Sequence, residues 1–273
     1  MKLIIAKNIG FCSGVKRAIQ IAEKSLKQDK KPVQFLGSVV HNEEVLEKLK
    51  KLGGTFIKGF KDAKSGIVII QAHGVPPFKN TESEIILKDA TCPLVKKVQL
   101  LAERLEEAGY QVVIVGDKEH SETKGIKGYA KKAIVIENEK QARNLSKFKR
   151  VGVVVQTTQD LENVNKILSI LKSKSESIKF FNTLCPEVRS RQIETKKLSK
   201  VADGMLIIGS KNSANTNRLK EIAQKGTKKV WILNTYKELN RDNLSKIKIL
   251  GVVSGASTPG WEIEKIIKCL KQK

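Results

Sequence analysis

Apolar residues fall in short runs along the chain, and these alternate with longer stretches of helical period. LIIAKNIGF, IILKDAT and IKFFNTL each hold a run of strand length, and each leads into a cysteine: Cys12, Cys92 and Cys185. After Cys12, the residues Val15, Ala18, Ile19, Ala22 and Leu26 recur at helical spacing. After Cys92, Leu94, Val95, Val98, Leu101, Ala102 and Leu105 do the same, while the stretch after Cys185 is less regular. VQFLG, YQVVIVG and GMLIIG predict strands that end at Gly37, Gly116 and Gly209. GIVIIQAHG, VGVVVQTTQ and ILGVVSGAS predict one more strand in each round. Strands that alternate with helices call for parallel α/β sheets.

The rounds repeat one plan. CSGVKRAI, CPLVKKVQ and CPEVRSRQ share Cys-x-x-Val-basic, and each strand-ending glycine follows its cysteine after 24 or 25 residues. Self-similarity at such a period marks a fold assembled from one supersecondary unit. The expected class is α/β, with three similar α/β domains bearing parallel-type sheets about a pseudo-threefold axis. Their expected extents are residues 13–92, residues 93–184, and residues 185–273 together with 1–12. Cys269, in IIKCLKQK, has none of this context and reads as a bystander.

Pro93 and Pro186 stand where a first helical residue tolerates proline. Each of the three cysteines is thus expected at a helix N-cap, just past a strand's carboxyl end. Free N–H groups and the helix dipole favour an anion there, a thiolate included. A polar turn follows each glycine, carrying His41, His120 and Glu122, or Ser213 and Asn215. The last strand of each round delivers His73, Thr157 with Thr158, or Ser257. Around a threefold axis these groups would converge with the thiolates. Three converging thiolates suit zinc with a histidine, a redox thiol set, or an iron–sulfur cluster with one iron left open. Imidazoles beside them can donate to a phosphate, and a buried Glu122 can serve as a proton donor.

Composition narrows the partners. The 273 residues carry 52 Lys and Arg against 28 Asp and Glu, a formal charge of +24. Such charge asks for an anionic partner, and a basic nucleic-acid-binding α/β protein is the alternative it supports. The lysines are scattered, however, the motif-bearing turns are mostly neutral, and the few aromatics form no basic-aromatic cluster for base stacking. Nucleic acid is therefore not expected as the partner. A zinc hydrolase using the same cysteines is a weaker alternative. No apolar run reaches membrane-spanning length and the N-terminal run is too short for a signal peptide. A cytoplasmic protein without membrane insertion is expected.

Taken together, GFCSGVKRAI, LGSVVHNEEV, QAHGV, DATCPLV, EHSETKG, QTT, KNSANTNRL and GASTP resemble the 4-hydroxy-3-methylbut-2-enyl diphosphate reductase (LytB) family over essentially the whole chain. The resemblance implies an oxidoreductase of isoprenoid biosynthesis, the last step of the methylerythritol phosphate route. It implies one [4Fe-4S] cluster held at the centre by Cys12, Cys92 and Cys185, whose open iron takes the substrate hydroxyl. It places the diphosphate on His41, His73, Ser213, Asn215 and Ser257. His120, Thr157 and Glu122 fall where the family handles the hydroxyl and the proton. The implied reaction is a two-electron reductive dehydroxylation to isopentenyl and dimethylallyl diphosphate. The electron donor would be acidic, such as a ferredoxin or flavodoxin. Two positions depart from the family pattern: Ala214 replaces a serine, and Pro186-Glu187-Val188-Arg189 replaces an alanine-threonine stretch.

Overall fold

The structure, a computed structural model, describes residues 1–78 and 84–272. The elements run β1 (Lys2–Ile5), α1 (Ser13–Gln28), β2 (Val33–Leu36), α2 (Glu43–Lys51), β3 (Thr55–Ile57), β4 (Gly66–Ile70), β5 (Ile85–Asp89), α3 (Pro93–Glu107), β6 (Gln111–Val115), α4 (Ser121–Tyr129) and β7 (Ile134–Ile136). They continue with α5 (Glu139–Arg143), β8 (Phe148–Val155), α6 (Leu161–Ser173), β9 (Ser175–Phe180), α7 (Pro186–Leu198), β10 (Gly204–Ile208), α8 (Ala214–Gln224), β11 (Val230–Leu233), β12 (Ile249–Ser254) and α9 (Gly260–Lys271). The chain divides into two compact units. One comprises Met1–Lys16, Val40–Lys51 and Pro186–Lys273; the other comprises Arg17–Val39 and Leu52–Cys185.

The first unit holds one four-stranded sheet, in the order β1-β12-β10-β11, with every pairing parallel. Successive side chains on a strand point to opposite faces, and both faces are covered here. Leu206, Ile208, Leu250 and Val252 cluster with Ile263, Ile266 and Leu270 of α9. Met205, Ile207 and Val253 cluster with Leu219 and Ala223 of α8. Burial on both faces explains why β10 reads as an unbroken apolar run, without alternation. Each side chain so buried contributes about 1.5–3 kcal/mol.

The second unit holds two further parallel sheets, ordered β3-β2-β4-β5 and β7-β6-β8-β9. Val113, Val115, Val153 and Val155 face Val164, Ile167 and Leu171 of α6. On the opposite face, Val112, Ile114 and Val154 meet Val98, Ala102 and Leu105 of α3 and Ile126 of α4. The helix that follows Cys92 therefore packs on the sheet after it in sequence, not on the sheet that delivers the cysteine. Leu94 departs from the apolar face expected of α3: it is 38% exposed, as is Leu100.

The three sheets are three parallel α/β arrangements of one kind. In each, the strand leading to a cysteine (β1, β5 or β9) lies at a sheet edge. The opposite edge is β3, β7 or β11, three or four residues long, which the hydrophobic pattern did not reveal. The strand-ending glycine donates its N–H to the carbonyl of that edge strand's last residue: Gly37 to Ile57, Gly116 to Ile136 and Gly209 to Leu233, at 2.8 to 3.0 Å. Gly37 adopts φ +75°, which glycine alone holds without cost. None of the described helices is long and apolar enough to cross a membrane.

Candidate active site

The three repeat cysteines share one backbone device. Cys12 donates its N–H to the Ala256 carbonyl, Cys92 to Ala72 and Cys185 to Thr157, each at 2.9 Å. Every acceptor lies two residues beyond the end of the neighbouring strand, β12, β4 or β8. A helix begins at the next residue in all three cases. Cys92 is the N-cap of α3, with Pro93 at the first helical position. The Cys12 thiol accepts the Val15 N–H at 3.5 Å and so caps α1. None of the three cysteines forms a disulfide, and all are partly exposed to solvent.

In the first unit, the polar turns surround the Cys12 segment's own sheet. The Ser257 hydroxyl donates to the His41 carbonyl at 3.0 Å. Burial holds the His41 imidazole below its ordinary pKa, and the carboxylate of Glu43 partly offsets that. Asn42 caps α2, accepting the Val45 N–H at 3.2 Å. Ser213 caps α8 and accepts the Thr216 N–H at 3.4 Å. Asn215 follows in the first turn of α8; it is 4% exposed, and neither polar atom of its amide finds a hydrogen-bond partner among the described residues. An amide so buried costs stability unless a ligand completes it.

The second unit brings Glu122, Thr157, His120 and His73 together. Glu122, expected in the polar turn after Gly116, stands instead in the first turn of α4, which begins at Ser121, and is 1% exposed. Thr157 grips both carboxyl oxygens, its N–H donating to Oε1 at 2.6 Å and its hydroxyl to Oε2 at 2.9 Å. Burial raises the Glu122 pKa to about 7 against the pull of these two bonds, and the nearby Asp117 adds to the rise. His120 caps α4: its Nδ1 accepts the Glu122 N–H at 3.2 Å, which leaves the proton of a neutral ring on Nε2. His73 packs edge-on against His120, with ring centroids 5.5 Å apart. Gly116, just past β6, leaves no room for a side chain, since a Cβ there would lie 2.8 Å from Thr123 Oγ1 and 2.9 Å from Gln156 Cβ. Thr157 joins the two segments, holding Glu122 with its N–H and side chain and Cys185 with its carbonyl.

Several supporting residues show little of their role in the sequence. Helix α7 turns a polar face to the loop before Cys12. Arg191, 5% exposed, donates to the carbonyls of Asn8 at 2.9 Å and Gly10 at 2.8 Å. Glu194 accepts the Lys7 N–H at 2.6 Å, and Glu187 accepts the N–H and hydroxyl of Ser13. The departure at residues 186–189 thus supplies an anchor for the Cys12 segment. Glu43 is the second such residue. Its carboxylate accepts from Ser210 at 2.9 Å, Asn212 at 2.7 Å and Asn234 at 3.0 Å, tying the His41 segment to the loops after β10 and β11. Burial alone would raise its pKa, but its own backbone N–H and these three donors hold it lower. An acidic residue directly after a cap is the trace it leaves in sequence.

The chain is similar to known proteins over its whole length. A family described as LytB protein matches residues 3–271. A protein of Geobacter metallireducens named 4-hydroxy-3-methylbut-2-enyl diphosphate reductase is 38% identical over 276 residues, covering 100% of this chain and 98% of its own. One of Dictyoglomus thermophilum with the same name is 41% identical over 278 residues, covering 99% and 96%. Among solved structures, the E-1-hydroxy-2-methyl-but-2-enyl-4-diphosphate reductase from Plasmodium falciparum superposes with a TM-score of 0.92 at 30% identity, over 99% of this chain and 88% of that one. A structure described as (E)-4-hydroxy-3-methyl-but-2-enyl diphosphate reductase, the terminal enzyme of the non-mevalonate pathway, gives 0.72 at 38% identity over 99% of both chains.

Proposed function

Because the chain belongs to the LytB protein family, an oxidoreductase family, we propose that it reduces (E)-4-hydroxy-3-methylbut-2-enyl diphosphate to isopentenyl and dimethylallyl diphosphate. The substrate takes up two electrons and two protons, its allylic C–O bond breaks, and the oxygen leaves as water. The observation that carries this reading is Glu122: a carboxyl at 1% exposure, its pKa near 7, both oxygens fixed by one residue. Hydroxide is a poor leaving group, and a positioned acid poised near neutrality is the remedy.

The donor set fits an iron–sulfur group. Cys12, Cys92 and Cys185 are thiols outside any disulfide, set at helix starts and held by one repeated backbone bond, and soft thiolates favoured by helix dipoles are the ligands such a group takes. When bound, a [4Fe-4S] cluster on these three would supply the electrons singly and a Lewis-acidic iron for the leaving oxygen.

The remaining chemistry falls to the chain. Glu122 delivers a proton to the departing oxygen, and its resulting carboxylate is stabilised by the Thr157 N–H and hydroxyl. His120 presents Nε2–H to the substrate's hydroxyl end. His41, His73, Ser213, Asn215 and Ser257 take the diphosphate. Asn215 supports that assignment directly, because the substrate would complete its buried amide. A bound diphosphate also favours the charged form of His41, reversing the effect of burial. Binding energy gained at the diphosphate, remote from the bond that breaks, holds the hydroxyl in place.

Anaerobically purified protein is expected to be brown, with iron and sulfide each near ~4 per chain, and to consume the allylic diphosphate when given a strong reductant. Stoichiometric zinc without sulfide would overturn the reading.

A further inference from the structure

A groove of about 610 Å³ runs along α3 in the second unit, lined by Pro93, Lys96, Lys97, Leu100, Arg104 and Phe181 among others. Among the described residues, no acidic one lines it. Leu100 and Phe181, 38% and 36% exposed, give the groove an apolar surface. Lys97 and Arg104 stand in solvent, whereas Lys96 is engaged with the Tyr129 hydroxyl at 2.9 Å. The groove's position in the chain is informative. Pro93 directly follows Cys92, and Phe181 lies on the short segment between β9 and Cys185. An occupant of the groove therefore rests against both cysteine-bearing segments of this unit.

We propose that this groove is the docking surface for an acidic one-electron carrier protein. The inference rests on Cys92 and Cys185 being cluster ligands. Three observations single out that occupant. The lining combines an apolar floor with cations, the pairing that steers a partner electrostatically while a small dry contact orients it. A chain of formal charge +24 repels a second copy of itself and attracts an acidic protein. Finally, electron transfer decays steeply with distance, and the groove adjoins two of the three thiol ligands, so docking there shortens the path. Redox encounters need only small, weak interfaces, which suits a surface of this size.

The test compares two reductants on one enzyme. With a reduced acidic ferredoxin at low salt, the double variant Lys97→Glu/Arg104→Glu should lose at least tenfold in kcat/KM, within the roughly 10–10³ range of steering effects. The loss should shrink as salt rises to about 0.5 M. With reduced methyl viologen, which needs no docking, the variant should match the wild type. Leu100→Ser should show a smaller loss of the same selectivity. Equal losses with both reductants, or none with ferredoxin, would overturn the proposal. So would a change in sedimentation of the Leu100 variant, which would make the groove a contact between copies. A wild-type protein idle with viologen would instead refute the reductase reading itself.

Discussion

Glu122 and Glu43 are the same side chain put to opposite uses. Glu122 is shut away from solvent with two donors, both from one residue, and burial wins: its pKa rises to about 7. Glu43 is only partly buried, begins a helix, and collects three side-chain donors from two loops; there the donors win and the pKa falls. One carboxyl is kept protonatable near neutrality; the other is a permanent anion that ties loops together. Environments that push two carboxyls apart in this way separate acid chemistry from architecture.

Substitution at each glutamate should break the pair differently. Glu122→Gln is expected to lower turnover by about 10²–10⁴-fold with iron content unchanged; steady-state rates and metal analysis decide it, and unimpaired turnover would remove Glu122 from the chemistry. The next effect is on stability. A folded pKa near 7 against an ordinary 4.5 means that the native state binds more protons than the unfolded state between those values. Stability is therefore favoured below pH 4.5 and lost as pH rises through 7, by about 3 kcal/mol in all. Urea melts from pH 4.5 to 8.5 should show that decline in the wild type and not in Glu122→Gln. Glu43→Ala, which strips three donors of their acceptor, should cost about 1–3 kcal/mol and raise KM for the diphosphate more than it lowers kcat. The smallest effect is at acid pH. A lowered pKa stabilises above 4.5 and stops doing so as pH falls through the folded value, so the gap between wild type and Glu43→Gln should close there; a gap that persists would show Glu43 acting by shape, not charge.

The sequence disclosed most where the physics is local. Helices α1 and α3 write their buried faces as apolar spacing, and fully buried parallel strands write themselves as apolar runs. Helix α7 does not, because its buried residues are Val188, Arg191, Gln192 and Thr195; a polar face has no hydrophobic period. The edge strands β3, β7 and β11 were too short to register. The cysteines and their turns were legible because repetition displayed them three times. Glu43, Glu187 and Glu194 were not, since their partners lie 167 to 191 positions away in the chain and no window along the chain contains both. The resemblance to a known family supplied the ligand and proton-handling roles, which periodicity and spacing had left open among several chemistries.

The backbone bond shared by the three cysteines also sets a timetable. Cys92 and Cys185 close onto carbonyls at Ala72 and Thr157, which a ribosome has already made. Cys12 closes onto Ala256, near the far end of the chain, and β1 pairs with β12. Synthesis runs from the N-terminus, and domains fold as they emerge. The first of the three thiols to be translated is thus the last to reach its place, because Ala256 is made 256 − 12 = 244 residues after Cys12. A chain cut short of Ala256 is expected to form the backbone bonds of Cys92 and Cys185 but not that of Cys12.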